Sequence, residues 1–279
     1  MNTTSLESEY SPSSCIGGNY LPYIEAYRSR SLEALQETNK LGAQWLKVAY
    51  GLEPSQSIEL CLPPNASRAG LLVFIHGGYW QELSASASLF WATACVTRGY
   101  AFAAINYSLA PKVSVAQIVA ECQAAITKLF DDASQWGVDA TNILVGGSSA
   151  GAHLAAMVAM KAYAHPIKRL LLISGIYELA PLIDTSINLA LSLDLAQAHA
   201  LSPQLLDLKN FPASLVCWGE IETMAFKQQS QQFAEKLKAN GVACESYEIA
   251  HRNHFNVVFD LYEESIGALG APVLLPSSS

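Results

Sequence analysis

The chain has 279 residues, 51% hydrophobic and only 14% charged, with a formal net charge of −8 and a pI near 5.2. That length suits one large α/β domain with its own core. The acidic balance, without any block of basic residues, excludes a nucleic-acid footprint, and no apolar run reaches membrane-spanning length.

Residues 1–19 are polar and are expected as a flexible amino-terminal segment. The first fourteen have neither a positive n-region nor an apolar h-region, so they do not read as a secretory signal. Apolar residues at helical spacing between Tyr23 and Ala49 (Ile24, Tyr27, Leu32, Leu35, Leu41, Trp45, Leu46) predict one or two helices. A strand is predicted at Ile58–Leu62, closed by Pro63-Pro64-Asn65, and another at Leu71–Ile75, whose unbroken apolar run suits a parallel strand buried on both faces. A helix over Ser84–Arg98 ends at Gly99.

The alternation then repeats, with strands at 101–105, 143–145 and 169–173 and helices over 114–136 and 149–163. Residues 175–210, with Pro181 and Pro203, read as an excursion over the strand ends. A strand over Ser214–Trp218, a helix over Phe226–Ala239, a strand over Ala243–Ile249 and a helix over Phe255–Ala268 complete a single domain at 20–270, followed by a tail at 271–279. Alternating β and α units predict an α/β fold: a mostly parallel sheet flanked by helices on both faces, with the ligand crevice beyond the carboxyl ends of the strands.

Six cysteines without a C-x-x-C pair, several within apolar segments, read as core residues in a reducing compartment. A cytoplasmic location is the expectation.

The stretch 142–156 carries the chemistry. An apolar strand breaks at Gly147-Ser148-Ser149-Ala150-Gly151 and resumes as an apolar helix, which fits the G-x-S-x-G nucleophile elbow with Ser149 as the nucleophile. Small residues two positions to either side let strand and helix approach, and the helix N-terminus aims N–H groups at a developing oxyanion. Upstream, His76-Gly77-Gly78-Tyr79-Trp80 has the form of a glycine loop that supplies oxyanion donors. Gly77 or Gly78 N–H, with Ala150 N–H, are the proposed donors.

A serine nucleophile needs a base and an orienting carboxylate, in the chain order Ser, Asp/Glu, His. His254 lies on the loop after the last strand, with His251 on the same loop as second choice. His76 and His153 read as structural, and His165 and His199 as surface residues. The stretch Gly219-Glu220-Ile221-Glu222-Thr223 contains no aspartate, so Glu222 is the first choice of acid and Glu220 the second. No His/Cys/Asp spacing points to a metal, and no phosphate-type glycine loop points to a nucleotide, so no cofactor is implied. Catalysis would proceed by Ser149 attack, an acyl-enzyme and hydrolysis by water activated through His254.

The HGGYW loop, the GSSAGAHLA elbow, Asn106-Tyr-Ser-Leu-Ala-Pro111, Ser174-Gly-Ile-Tyr-Glu-Leu179 and Phe226–Ser230 together resemble the kynurenine formamidase (arylformamidase) group of α/β-hydrolases, and also the related hormone-sensitive-lipase-like esterases. The resemblance runs from about Leu41 to the last helix. It implies the α/β-hydrolase fold with a small helical lid, which the chain pattern places in about 20–50 and 176–210. It also implies a cofactor-independent serine hydrolase acting on a small N-formyl aryl amide or carboxylic ester. Ser149 matches the family's nucleophile, His254 its base and Glu222 its usual aspartate. Glu222 in place of aspartate, and Ser148 where His or Asp is usual, are departures. Tyr79, Trp80 and Tyr177 would then line the substrate site. The partner is a small molecule; a homodimer is left open. A carrier that keeps the fold without catalysis is the competing class.

Overall fold

A computed structural model describes residues 3–259. Helix α1 (Thr3–Glu9) and a 3-10 turn at Pro12–Ile16 lead into the long helix α2 (Leu21–Lys40). The segment expected to be flexible, 1–19, therefore carries regular structure from Thr3 onward. The reason is tertiary: Thr223 Oγ1 donates to Glu9 O at 2.6 Å, Tyr79 Oη donates to Tyr10 O at 2.5 Å, and Tyr10 packs in the main core. Polar composition without periodicity gives no sign of such contacts.

Helix α2 buries Ile24, Tyr27, Ser31, Ala34 and Thr38, the i, i+3, i+7 stripe of an amphipathic helix. It ends at Gly42, whose φ of +78° a glycine adopts freely. Residues beyond Gly42 were expected to be helical to Ala49 and instead form strand β1 (Gln44–Ala49), antiparallel to β2 (Ser57–Leu62). Trp45, Leu46 and Val48 fit either period, and pairing with β2 decides.

Strand β3 (Ala69–Ile75) is buried along its whole length. After it, the expected helix over Ser84–Arg98 is split into a 3-10 turn at Ala85–Ala87 and helix α3 (Ala92–Thr97), because Phe90 and Trp91 turn inward to pack on Phe74. Strand β4 (Ala101–Ile105) is followed by helix α4 (Val115–Asp132), opened by a capping box in which Ser114 and Gln117 bond each other's backbone. Strand β5 (Val138–Ser148), helix α5 (Ala150–Ala159) and strand β6 (Arg169–Ile173) follow. The excursion contains the short helices α6 (Asn188–Leu191) and α7 (Leu195–Ala200). Strand β7 (Ser214–Ile221), helix α8 (Met224–Ala239) and strand β8 (Cys244–Asn253) complete the described fold. The last predicted helix is helical at residues 257–259 and otherwise lies, with the tail 271–279, outside the described residues.

The eight strands form one sheet in the order β1-β2-β4-β3-β5-β6-β7-β8. Strand β2 is antiparallel to β1 and β4, and every pair from β4 through β8 is parallel. The switch in strand order falls at β3 and β5, whose carboxyl ends carry the glycine loop and the serine elbow side by side, where such folds place their ligand crevice. Among the described residues, no helix is long and apolar enough to cross a membrane. Cys61, Cys95, Cys122 and Cys217 are buried free thiols.

Candidate active site

Ser149 sits between β5 and α5 with φ +58° and ψ −122°, a conformation sparsely populated by any residue with a Cβ. The glycines around it have steric reasons. A Cβ on Gly147 would stand 2.2 Å from Gly151 O, and one on Gly151 2.0 Å from Ile75 O. These two positions let β5, α5 and the end of β3 close around the turn. A Cβ on Gly77 would meet Ser148 O at 2.7 Å and Ser149 Cβ at 3.2 Å, so the glycine loop lies directly against the serine. Among the described residues, the N–H groups of Gly77, Gly78 and Ala150 have no backbone acceptor outside the regular elements.

Glu222 and His254 form the second half of the arrangement. His254 Nδ1 and Glu222 Oε2 are 2.9 Å apart, with the two side chains 6% and 0% exposed. The other oxygen, Oε1, accepts from Ser174 Oγ at 2.6 Å and from Gly219 N–H at 2.5 Å. The glutamate is thus folded back over its own strand, which takes up its extra methylene relative to aspartate. Thr223 caps α8 immediately after it, accepting from Phe226 N–H, and the Phe226 ring meets the imidazole edge-on at 4.4 Å. Packing and hydrogen bonds therefore hold the imidazole on both sides.

The second-choice pair is elsewhere. Glu220 Oε2 accepts from His251 N–H at 2.7 Å, and the two side chains are solvent-exposed, His251 at 88%. His251 has φ +59° at the irregularity where β8 gains residues over β7, and that bulge carries His254 back over the sheet. His76 and His153 are buried, and desolvation pulls both imidazoles down to about 4. His76 Nδ1 is 2.9 Å from Gly77 O with its ring stacked on Tyr107, and His153 Nε2 is 2.8 Å from Leu201 O. Both are structural groups that support the glycine loop and α5.

Ser149, His254, Gly77 and Gly78 line one cavity of about 340 Å³. Ser149 and His254 face it together and are not hydrogen-bonded to each other here, a contact that substrate commonly tightens. Of the three expected wall aromatics, only Tyr79 lies on it. Trp80 and Tyr177 do not: both are fully buried in the main core, Trp80 edge-on to His153 and Tyr177 stacked on Phe233 at 4.1 Å. Both point to the core side of their loops, and the motif identified the loops without fixing side-chain direction.

Several wall residues escaped the sequence reading. Tyr10 and Ser11 come from the amino-terminal segment, Tyr20 and Tyr27 from around α2, Glu82 from the glycine loop and Ser186 from the excursion. No motif marks them; hydrogen bonds from Tyr79 to Tyr10, from Thr223 to Glu9 and from Ser186 to Glu7 bring the amino terminus here. Ser174 had a signal, since it immediately follows β6 on the strand adjoining Ser149. Among the described residues, no group of three or more His, Cys, Asp or Glu side chains could hold a metal ion.

The family model BD-FAE matches residues 58–174. Kynurenine formamidase of Danio rerio is 28% identical over 95% of this chain and 93% of its own length, and that of Drosophila melanogaster 29% over 79% and 78%. Among solved structures, a Silicibacter sp. TM1040 protein described as a thioesterase superposes with a TM-score of 0.82 at 27% identity, covering 95% of this chain and 98% of that one. The esterase of Pyrobaculum calidifontis superposes at 0.72 over 96% of each chain, and at 20% identity it speaks for the fold alone. In fold the chain is an α/β-hydrolase, and in sequence it is kynurenine formamidase-like.

Proposed function

We propose that this protein is a cofactor-independent serine hydrolase that cleaves a small N-formyl aryl amide or carboxylic ester through an acyl-enzyme. The observation that carries the reading is the buried Glu222–His254 pair, aimed at the cavity that holds Ser149. Relatives named kynurenine formamidase favour the formamide over the ester.

In this mechanism His254 Nε2 takes the Ser149 proton as Oγ attacks the carbonyl carbon. The Nδ1–H donates to Glu222 Oε2, which fixes the tautomer and stabilises the imidazolium. Charge on the carbonyl oxygen is met by the Gly77 or Gly78 N–H and the Ala150 N–H at the positive end of α5. His254 then protonates the departing amine or alcohol. Water enters, gives its proton to the same nitrogen and releases formate or another small acid from Ser149.

Hydrolysis of N-formyl aromatic amines and of short p-nitrophenyl esters, each with Ser149→Ala as control, tests the reading. Turnover of the formyl amide, abolished in the variant, supports the formamidase form. Ester turnover without deformylation supports the carboxylesterase form, and no turnover of either supports the carrier.

A further inference from the structure

We propose that the amino-terminal turn Glu7–Tyr10 is a strap that sets the two halves of the active site against each other, with Glu9 positioning the acid loop and Tyr79 positioning the glycine loop. The inference deepens the hydrolase reading and rests on the roles given there to Glu222, His254 and the glycine-loop amides. Glu9 reaches the acid loop twice. Its backbone carbonyl accepts from Thr223 Oγ1 at 2.6 Å, and its carboxylate Oε2 accepts from Ala225 N–H at 2.8 Å. Thr223 follows Glu222 directly and caps α8, so Glu9 adds a charged cap to the same helix end. The Phe226 ring in that first turn is in ring contact with His254, Tyr10 and Tyr79. A shift of the turn therefore moves the acid and the packing of the imidazole together.

Tyr10 reaches the glycine loop. Its carbonyl accepts from Tyr79 Oη at 2.5 Å, and burial pushes the Tyr79 phenol well above its ordinary pKa, so it stays a donor. The loop needs such a restraint. Gly78, Tyr79 and Trp80 have φ of +96°, +48° and +61°, and a left-handed backbone at residues with a Cβ persists only where surrounding contacts over-determine it. Trp80 is held from the core, where its carbonyl accepts from Ala110 N–H at 2.8 Å. The Tyr79 hydroxyl is the restraint on the strap side. Tyr10 is itself fixed, because its hydroxyl accepts from Gln229 Nε2 at 3.1 Å, and Gln229 Oε1 accepts from the N–H groups of Tyr177 and Glu178 in the segment after Ser174. Ser186 N–H and Oγ donate to the Glu7 carboxylate and close the strap onto the excursion. One turn of chain thus joins the acid loop, the glycine loop and the segment whose serine holds Glu222.

The test is steady-state kinetics of the full chain with Glu9→Ala, Glu9→Gln, Tyr79→Phe and the double variant Glu9→Ala/Tyr79→Phe. The NMR signal of the His254 Nδ1–H proton is recorded on each without substrate. Tyr79→Phe keeps the ring in place, and Glu9→Gln keeps an oxygen for Ala225 N–H. Tyr79→Phe and Glu9→Ala are each expected to lower kcat about tenfold with KM within about twofold of wild type, less than the roughly hundredfold cost of a 1 Å misplacement. Glu9→Gln should restore kcat to within about threefold of wild type, since the hydrogen bond survives without its charge. Because one strap carries both contacts, the double variant should also lose about tenfold, whereas independent contacts would multiply to about a hundredfold. In Glu9→Ala the Nδ1–H signal should broaden through exchange with water, and in Glu9→Gln it should remain. Wild-type kcat in both single variants, a change confined to KM, losses that multiply, or an Nδ1–H signal unaltered in Glu9→Ala overturns the proposal. The NMR signal needs no turnover, so if the wild type hydrolyses neither substrate, the hydrolase reading fails while the strap is still decided.

Discussion

Ser174 Oγ donates to Glu222 Oε1 at 2.6 Å, and with the Gly219 N–H it fills one oxygen of the carboxylate so that the other is left for His254. The proposed triad acid is held by a serine from the neighbouring strand end. Ser174→Ala is expected to leave the fold intact and to lower kcat by roughly tenfold to a hundredfold, the range of a lost hydrogen bond to a charged group, with little change in KM. Glu222→Gln should be more severe, about 10⁴-fold, because an amide can stabilise the wrong imidazole tautomer. Steady-state kinetics on whichever substrate the wild type turns over checks both. An unaltered kcat in Glu222→Gln contradicts the assignment.

At Gly77, an added methyl group meets the Ser148 carbonyl and the Ser149 Cβ. Gly77→Ala therefore displaces the glycine loop from the nucleophile. The expected loss in kcat is about 10²- to 10³-fold, the effect of removing one oxyanion donor, and the clash with the Ser148 carbonyl should lower the melting temperature as well. Retained activity would place the oxyanion donors elsewhere.

Trp80 and Tyr177 are core residues, and their substitutions should read as stability changes. Trp80→Ala removes a fully buried ring in contact with His153 and is expected to cost about 3–5 kcal/mol in urea unfolding. If the variant folds at wild-type stability and only KM rises, Trp80 is a wall residue after all.

The buried imidazoles of His76 and His153 give a pH dependence of known sign. Their folded-state pKa values are pulled down to about 4 by desolvation, while the unfolded chain's imidazoles titrate near 6.5. Between those values the unfolded state binds more protons, so this stability is full above about pH 6.5 and is lost as pH falls toward 4. The loss is roughly 1.4 kcal/mol per pH unit for each ring. Urea unfolding at pH 7.5 and pH 5.5 should differ by about 3 kcal/mol from these two groups, and His153→Gln should remove about half of the difference. A flat profile would mean that the rings are not buried neutral in the folded protein.

What the sequence made legible was local. The G-x-S-x-G turn, the glycine loop after a buried strand and the loop positions of Glu222 and His254 each lie at a junction whose residue types follow from backbone geometry, and all meet at neighbouring strand ends. Strands β4 and β6 were readable to the residue because interior strands of the sheet are nearly continuous apolar runs, broken in these two only at Arg169. What stayed hidden depends on contacts between distant segments. The amino-terminal residues owe their structure to Tyr79 and Thr223. Strand β1 owes its form to β2, and the inward direction of Trp80 and Tyr177 is set by packing behind the loops. The choice of Glu222 over Glu220 is legible only once the β8 bulge sends His251 outward and brings His254 in.

The central claim, that Ser149 is a nucleophile activated by the His254–Glu222 pair, is tested most directly by reaction with a fluorophosphonate probe followed by peptide mass mapping. The account predicts a single modified residue, Ser149, in the wild-type protein, with labelling slowed at least a hundredfold in His254→Ala. Folded protein that stays unlabelled, that is labelled at Ser148 instead, or that reacts equally fast without the imidazole would contradict it.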